Sequence, residues 1–161
     1  MSRKWVVNAS PLIALTKISH LFLLYEMCSE LIIPSGVVEE IQNGPSDDPT
    51  RIWLNDKGAS SIRELKQVDP VVIAWDLGLG ESQVISWAYK NPGFEAILDD
   101  RAGRKCALSL KIRVRGTISV ILLAKKEGRL SKVEPLLDQL IQIGFRIDPE
   151  LLRTTLLLAK E

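Results

Sequence analysis

The stretch VVNASPLI, residues 6–13, decides the fold of this chain. Its two valines are typical of a buried strand, which we predict over residues 5–9. Ser10 is a good N-cap and Pro11 suits a first helical position, so a helix is predicted to begin at once. Asn8 therefore lies at the carboxyl end of a first strand, where α/β proteins gather their ligand-binding groups.

Strand and helix patterns alternate along the rest of the chain. Further strands are predicted at 31–33, 94–98 and 112–114, with weaker ones at 58–65 and 145–147. Helices are predicted at 12–18, 21–28, 34–43, 46–57 with Ile52 and Trp53 inward, 81–89, 101–110, 118–126, 133–143 and from Pro149 onward. Residues 69–80 are predicted to form a connecting segment. The alternation predicts a single α/β domain over residues 1–161, with a mostly parallel sheet covered by helices on both faces.

Size and composition bound the class of protein. The 161 residues, 46% of them hydrophobic, suit one domain with a substantial core. Cys28 and Cys106 have no metal-ligand or redox spacing, which excludes a structural zinc site and favours a cytoplasmic location. The apolar stretch after Arg3 and Lys4 is interrupted by polar residues, so neither a signal peptide nor a membrane segment is expected.

Several familiar kinds of site find no support in the sequence. The single histidine, His20, lies in a Leu-rich helical stretch, so no Ser-His-Asp or Cys-His arrangement can be assembled. Gly78-Leu79-Gly80 follows no convincing strand and lacks a third spaced glycine, which argues against dinucleotide binding. The pair Asp99-Asp100 after a strand suggests a receiver-like signalling domain. A receiver domain carries its acid pair early in the chain, however, so the order here argues against that class.

The charge is unevenly distributed, although the formal net charge is +1. Residues 20–100 contain fourteen acidic and five basic side chains, whereas residues 101–129 contain nine basic side chains and one acidic. This division suggests a polyanion held by Lys and Arg beside carboxylates that bind a cation. Ordinary solvated helix faces would give the same pattern.

Oxygen-bearing side chains follow three of the predicted strands. They are Asn8 and Ser10, then Asp99 and Asp100, then Thr117 and Ser119, with Glu40 and Glu81 on neighbouring helices. Because the carboxyl ends of parallel strands meet at one edge of a sheet, these side chains are expected to converge. Carboxylates held close together favour Mg²⁺ or Mn²⁺, which can activate water for phosphodiester hydrolysis.

Each of these residues also has an ordinary structural explanation. Asp100 is a natural N-cap for the helix that follows it, and Glu81 meets the positive end of a helix dipole. Glu40 beside Glu39 suits a solvent-facing helix surface, and Thr117 suits a helix cap. The prediction of a site therefore depends on their convergence beside a basic segment.

A series of short motifs resembles the PIN-domain superfamily. In chain order the motifs are VVNASPLI, Ile33-Pro34 with Val37 and Glu40, Gly80-Glu81, Ile97-Leu98-Asp99-Asp100-Arg101, and Gly116-Thr117. More closely, the chain resembles the PIN-like branch of unknown function that is related to the toxins of VapBC toxin–antitoxin pairs. The match covers nearly the whole chain, and its specificity comes from the order and spacing of the five motifs.

The resemblance implies an α/β/α sandwich that binds Mg²⁺ or Mn²⁺ through an acidic cluster and cleaves single-stranded RNA. Position by position, it assigns the metal and catalytic roles to Asn8, Glu40, Glu81 and Asp100, with Asp99 as an alternative ligand. It assigns supporting roles to Ser10, Thr117 and Ser119. It also suggests a homodimer and a small antitoxin protein as partner.

Two features of the sequence extend these expectations. On charge alone, the candidates for holding the RNA backbone are Lys105, Lys111, Arg113 and Arg115, and the alternatives nearer the acids are Arg101 and Arg104. The apolar helices around residues 118–124 and 151–158 would suit a partner face, although a buried core helix is the simpler account.

Asn8 departs from the superfamily pattern, which has an aspartate at this position. An amide oxygen still coordinates a hard cation but adds no charge, so the metal should bind more weakly. The leading hypothesis is a metal-dependent ribonuclease. The alternative is a catalytically weak or inactive PIN-like module that binds nucleic acid or protein, and Asn8 is its motivation.

Overall fold

The computed structural model describes residues 2–161, in which the strands form one parallel sheet. The strands are β1 Lys4–Val7, β2 Glu30–Pro34, β3 Ile62–Arg63, β4 Phe94–Ile97 and β5 Val114–Arg115. Their order across the sheet is β3-β2-β1-β4-β5, and every neighbouring pair is parallel. The predicted α/β class and parallel sheet are confirmed.

Helices connect the strands and cover the sheet. They are α1 Ala9–Lys17, α2 Phe22–Glu26, α3 Ser35–Gln42, α4 Pro49–Asn55, α5 Pro70–Ile73, α6 Leu79–Lys90, α7 Arg101–Ser109, α8 Thr117–Lys126, α9 Glu134–Gln142 and α10 Pro149–Leu158, with a 3-10 helix at Lys57–Ser61. Trp5, Val6 and Val7 follow one another along the central strand and are each 0% exposed. Since successive strand residues point to opposite faces, both faces of the sheet are covered. No helix among these residues has the length and apolar character needed to cross a membrane.

The register of the sheet brings the ends of three strands together. Val7 pairs with Ile97, and Ile97 pairs with Arg115. The Asn8 N–H continues this ladder by donating to the Ile97 carbonyl oxygen at 3.1 Å. Asn8 and the turns after β4 and β5 therefore emerge at the same edge, here called the carboxyl edge.

Four details of the sequence prediction are wrong. The helix α1 begins at Ala9, so Ser10 lies inside the helix and Asn8 occupies the N-cap position. Ile52 is 58% exposed, because α4 buries Thr50 and Leu54 instead. Residues 70–73 form a helical turn whose N-cap, Asp69, accepts a hydrogen bond from the Val71 N–H. Residues 145–147 form no strand.

Candidate functional site

A cavity of about 720 Å³ opens at the carboxyl edge of the sheet. Among its lining side chains are Asn8, Glu40, Glu81 and Asp100, which come from four different parts of the chain. Ser10, Asp99 and Ser119 also line it. The fold thus brings together seven of the eight oxygen-bearing residues singled out in the sequence, and we call this space the acidic cavity.

Asn8 contributes a buried oxygen that has no hydrogen-bond partner. The residue is 5% exposed, and its Oδ1 atom accepts no hydrogen bond in the part of the chain that the structure describes. Although Asn8 stands at the N-cap position of α1, its side chain makes no capping bond. Leaving a buried polar atom unpaired costs about 1–3 kcal/mol, so this oxygen is suited to an external partner.

Two glycines make room for the oxygens of the acidic cavity. A Cβ atom at Gly80 would lie 3.3 Å from Oε2 of Glu40 and 3.4 Å from Oδ1 of Asn8. A Cβ atom at Gly103 would lie 3.0 Å from Oε2 of Glu81. Larger residues at these positions would push the oxygens aside, so the small size of both glycines is part of the site.

The surroundings of Glu81 disfavour the charged form of its carboxyl group. Burial raises its pKa, and the charge of Asp100, a hydrogen bond to Asp100 and the charge of Glu40 raise it further, to about 7. Among the described residues, no Lys or Arg forms an ion pair within 4 Å of Glu40, Glu81 or Asp100. Like charges arranged in this way attract a cation.

The two adjacent aspartates that follow β4, Asp99 and Asp100, differ in how they are held. Asp99 accepts hydrogen bonds from the Thr117 N–H at 2.7 Å and from the Thr117 hydroxyl at 2.6 Å, and Ser10 donates to it at 3.4 Å. Asp99 therefore fixes the start of α8 against the end of β4. Asp100 is an N-cap of α7, since its Oδ2 accepts from the Gly103 N–H at 3.0 Å.

A family model described as a PIN domain matches residues 4–161, which is nearly the whole chain. The chain belongs to the PIN-domain family. None of the curated proteins and none of the solved structures compared with it matches. PIN domains are generally nucleases, and they typically use divalent metal ions.

The donor set of this PIN domain fits a hard divalent ion in its chemistry. All the donors at the acidic cavity are oxygens, the partnerless Oδ1 of Asn8 among them, and Mg²⁺ and Mn²⁺ prefer oxygen. In residues 2–161, however, no three Asp, Glu, His or Cys side chains are already drawn together as a metal-binding group. Binding would therefore require Glu40, Glu81 and Asp100 to move closer around the ion.

The six basic residues predicted to hold RNA lie in three places on the PIN domain. Arg104 lines the acidic cavity. Arg101 and Lys105 are exposed on α7 and do not line that cavity. Lys111, Arg113 and Arg115 line a separate cavity near the amino ends of β4 and β5. Of the two alternatives expected nearer the acids, Arg104 lines the acidic cavity, whereas three of the four residues chosen on charge alone line the cavity at the opposite edge.

One wall of the acidic cavity was missed by the sequence analysis. It is built from the segment after α9 and from α10, and its residues are Gly144, Phe145, Arg146, Leu151, Thr154, Thr155 and Leu158. The segment 144–146 carries no motif, and the sequence predicts a weak edge strand at 145–147. Only the docking of α10 against α8 brings this wall to the carboxylates, and the sequence contains no signal for that packing.

Proposed function

We propose that this PIN domain is a metal-dependent endoribonuclease that cleaves single-stranded RNA, in the manner of the VapC toxins that its motifs resemble. The observation that carries the proposal is the partnerless buried Oδ1 of Asn8 in a cavity that four carboxylates also line. A structural site would have satisfied that oxygen, whereas a metal site leaves it free.

Glu40, Glu81 and Asp100 would hold Mg²⁺ or Mn²⁺ together with Oδ1 of Asn8. The bound ion supplies Lewis-acid stabilisation of charge on the phosphoryl oxygens and lowers the pKa of water. Since the pKa of Glu81 is about 7 in the free protein, this carboxyl group exchanges its proton near neutral pH. Binding of a cation would therefore be coupled to loss of the Glu81 proton.

The other lining residues position the substrate and the ligands. Arg104 lies beside the carboxylates and can hold a phosphate through its planar guanidinium group. Asp99, Thr117 and Ser10 act as positioning residues through the hydrogen bonds that join the ends of β1, β4 and β5. The apolar wall of Phe145 and Leu122 offers contact to an unstacked base, which favours a single-stranded substrate.

The test is cleavage of an unstructured RNA with Mn²⁺ by the wild type and by four variants. Glu40→Gln, Glu81→Gln and Asp100→Asn should each lose at least about a hundredfold in rate, the cost of removing charge at a transition state. Asp100→Asn keeps a good N-cap residue for α7, so its loss would not reflect unfolding. Glu39→Gln is the matched control, because Glu39 neighbours Glu40 but does not line the cavity.

Equal rates for the wild type, Glu81→Gln and Asp100→Asn would overturn the assignment. The alternative, an inactive module, predicts RNA binding without cleavage in every protein tested. Asn8→Asp then separates the two cases, because it adds the missing charge. It should tighten Mn²⁺ binding measured by calorimetry, and unchanged affinity together with unchanged cleavage would mean that position 8 is not at the metal.

We further propose that α10 carries the face for a protein partner, either a second copy or a small antitoxin. Leu157 and Leu158 of α10 are 71% and 69% exposed, and Leu158 also lines the acidic cavity. A partner on this face would lie over the site. Leu157→Glu should therefore weaken a dimer seen by analytical ultracentrifugation or the binding of a co-expressed antitoxin, and a protein monomeric and partnerless before the change would contradict the proposal.

A further inference from the structure

A second cavity lies on the opposite edge of the sheet from the carboxylates. Its volume is about 960 Å³, and it is lined by residues around the amino ends of β1, β4 and β5. Arg3, Phe94 and Arg113 mark these three positions. Since β4 rises about 3.3 Å per residue, the two edges are separated by about 10–13 Å.

The charges in this second cavity leave two cations without partners. Glu95 is paired with Arg115 at 3.1 Å, and Glu127 is paired with Arg3. In contrast, Lys111 and Arg113 form no ion pair and no side-chain hydrogen bond with any residue from 2 to 161. Both are exposed, so their charges are free to meet an anionic ligand.

An exposed aromatic ring stands beside these two cations. Tyr89, in the last turn of α6, lines the second cavity and is 44% exposed. Cations that track a phosphate backbone together with an aromatic side chain that stacks a base are the usual elements of a single-strand binding surface. We call Tyr89, Lys111 and Arg113 the amino-edge patch.

Helix α7 joins the acidic cavity to the amino-edge patch. It begins beside Asp100 at the carboxyl edge and ends at Ser109, just before Lys111. Nine residues at 1.5 Å each make it about 13 Å long, which matches the separation of the edges. Arg101 and Lys105 are exposed along it, and no acidic residue occurs between positions 101 and 126. The charged side chains that α7 itself offers to a polyanion are therefore all positive.

We infer that the single-stranded RNA flanking the cleaved bond runs along α7 from the acidic cavity to the amino-edge patch, where Lys111 and Arg113 bind backbone phosphates and Tyr89 stacks a base. This inference rests on the proposed function. The patch does not take part in the cleavage step; it sets the preference of the enzyme for longer substrates.

The test compares a trinucleotide with an RNA of about 12 nucleotides, within the usual span of a single-strand site. Binding is measured in metal-free buffer by fluorescence anisotropy at several salt concentrations. The double variant Lys111→Asn/Arg113→Gln removes both charges. Asn is chosen at position 111 because the backbone there is left-handed, with φ 62°, a conformation that Asn tolerates. Lys57→Gln/Lys132→Gln is the matched control, since both lysines are exposed and remote from either cavity.

The double variant should bind the longer RNA at least about tenfold more weakly, and the slope of log affinity against log salt should fall by about 1.4, or 0.7 for each lost phosphate contact. The trinucleotide should show no such difference, and the control pair should behave as the wild type. Tyr89→Ala should weaken binding of the longer RNA by about tenfold, whereas Tyr89→Phe should not.

Equal affinity and equal salt slope for the double variant and the control pair would overturn the inference. So would a length-independent effect in which inorganic phosphate or a nucleoside monophosphate competes as well as the longer RNA, because that describes a small-anion site. The cleavage assay reports the acidic cavity and the metal-free binding assay reports the patch. A protein that cleaves RNA but shows no length-dependent loss disproves the patch alone, and a protein that shows the loss without cleaving disproves the nuclease alone.

Discussion

The two edges of the sheet each hold a partly buried glutamate, and they treat it in opposite ways. At the amino edge, Glu95 accepts a hydrogen bond from Trp5 Nε1 at 2.8 Å and pairs with Arg115. At the carboxyl edge, Glu81 lies among other carboxylates, and its pKa is raised to about 7. The ion pair of Glu95 and Arg115 therefore has a structural role.

The difference between the two glutamates shows where this fold tolerates a loss of stability. Stability is served by pairing a buried charge, as at Glu95. Leaving Glu81 among like charges works against the folded state, and perturbed carboxylates of this kind are concentrated at functional sites. The same sheet thus has one edge built for stability and one built to receive a ligand.

The largest expected effect comes from breaking the pair at the amino edge. Arg115→Met would leave the Glu95 carboxylate, whose side chain is only 10% exposed, without its cation. We expect the free energy of unfolding to fall by about 3 kcal/mol, because the remaining charge is desolvated. Arg113 lies two residues before Arg115 and forms no ion pair, so Arg113→Met should change the free energy of unfolding by less than about 0.5 kcal/mol. Urea unfolding that gave equal midpoints for the two variants would refute this description of the edge.

The reverse result is expected at the carboxyl edge. An acid whose folded pKa lies above its unfolded value of 4.5 lowers stability as pH rises from 4.5 to about 7, since the folded protein binds the extra proton. Without metal, Glu81→Gln should therefore stabilise the protein at about pH 8 by about 1–2 kcal/mol, after a discount for the partial exposure of the group.

The gain from Glu81→Gln should shrink as the pH falls from about 7 and should vanish below about pH 4.5, where the wild-type carboxyl group becomes protonated in both states. Thermal unfolding at a series of pH values measures it, and about 1 kcal/mol corresponds to 2–4 °C in a protein of this size. Glu39→Gln serves as the control, because Glu39 is exposed and does not line the acidic cavity. A Glu81→Gln protein that is less stable than the wild type at pH 8 would mean that Glu81 is held by favourable contacts.

A smaller effect separates packing from charge at the acidic cavity. Gly80→Ala places a Cβ atom 3.3 Å from Oε2 of Glu40 and 3.4 Å from Oδ1 of Asn8, so both oxygens must shift by a few tenths of an ångström. Mn²⁺ affinity, measured by calorimetry, should fall by about tenfold, or 1.4 kcal/mol. Stability should not fall, because alanine is the better helix former. Gly78→Ala is the control, since a Cβ atom there meets nothing within 4 Å. Equal Mn²⁺ affinities in the two variants would mean that the small size of Gly80 does not matter for the metal site.

The comparison of edges also explains what the sequence could predict. The motifs at residues 6–13 and 97–101 follow directly from strand–helix junctions, so the parallel sheet and the convergence of Asn8, Glu81 and Asp100 were predictable from spacing. Pairing across the sheet was not. Nothing in the sequence indicates that Arg115 pairs with Glu95, which is twenty residues away, or that Lys111 lines the cavity at the opposite edge.

The errors in local structure have the same origin. Ser10 has the better side chain for an N-cap, but the register of β1 against β4 ends the strand at Val7 and starts the helix at Ala9. The wall formed by Phe145 and Arg146 depends on tertiary docking of α10, which local propensity does not determine. Short-range signals were reliable where one junction decides the structure, and they failed where distant elements pack together.

The smallest effect concerns a third glutamate, which is the reverse of Glu81. Desolvation alone would raise the pKa of Glu161, but hydrogen bonds from Lys125 and from the N–H groups of Val133 and Glu134 lower it to about 2. Because the folded pKa lies below the unfolded value of 4.5, the stabilisation is complete above pH 4.5 and is lost as pH falls toward 2. Glu161→Ala should cost about 1 kcal/mol at neutral pH, since it frees the N–H groups at the start of α9. Asp138→Ala, exposed on the same helix, is the control. Urea unfolding should show that the loss of stability in Glu161→Ala becomes smaller below pH 4.5, whereas the gain in Glu81→Gln becomes larger above it. A loss of the same size at every pH would assign Glu161 a packing role. It would also mean that the two glutamates do not change stability with pH in opposite directions.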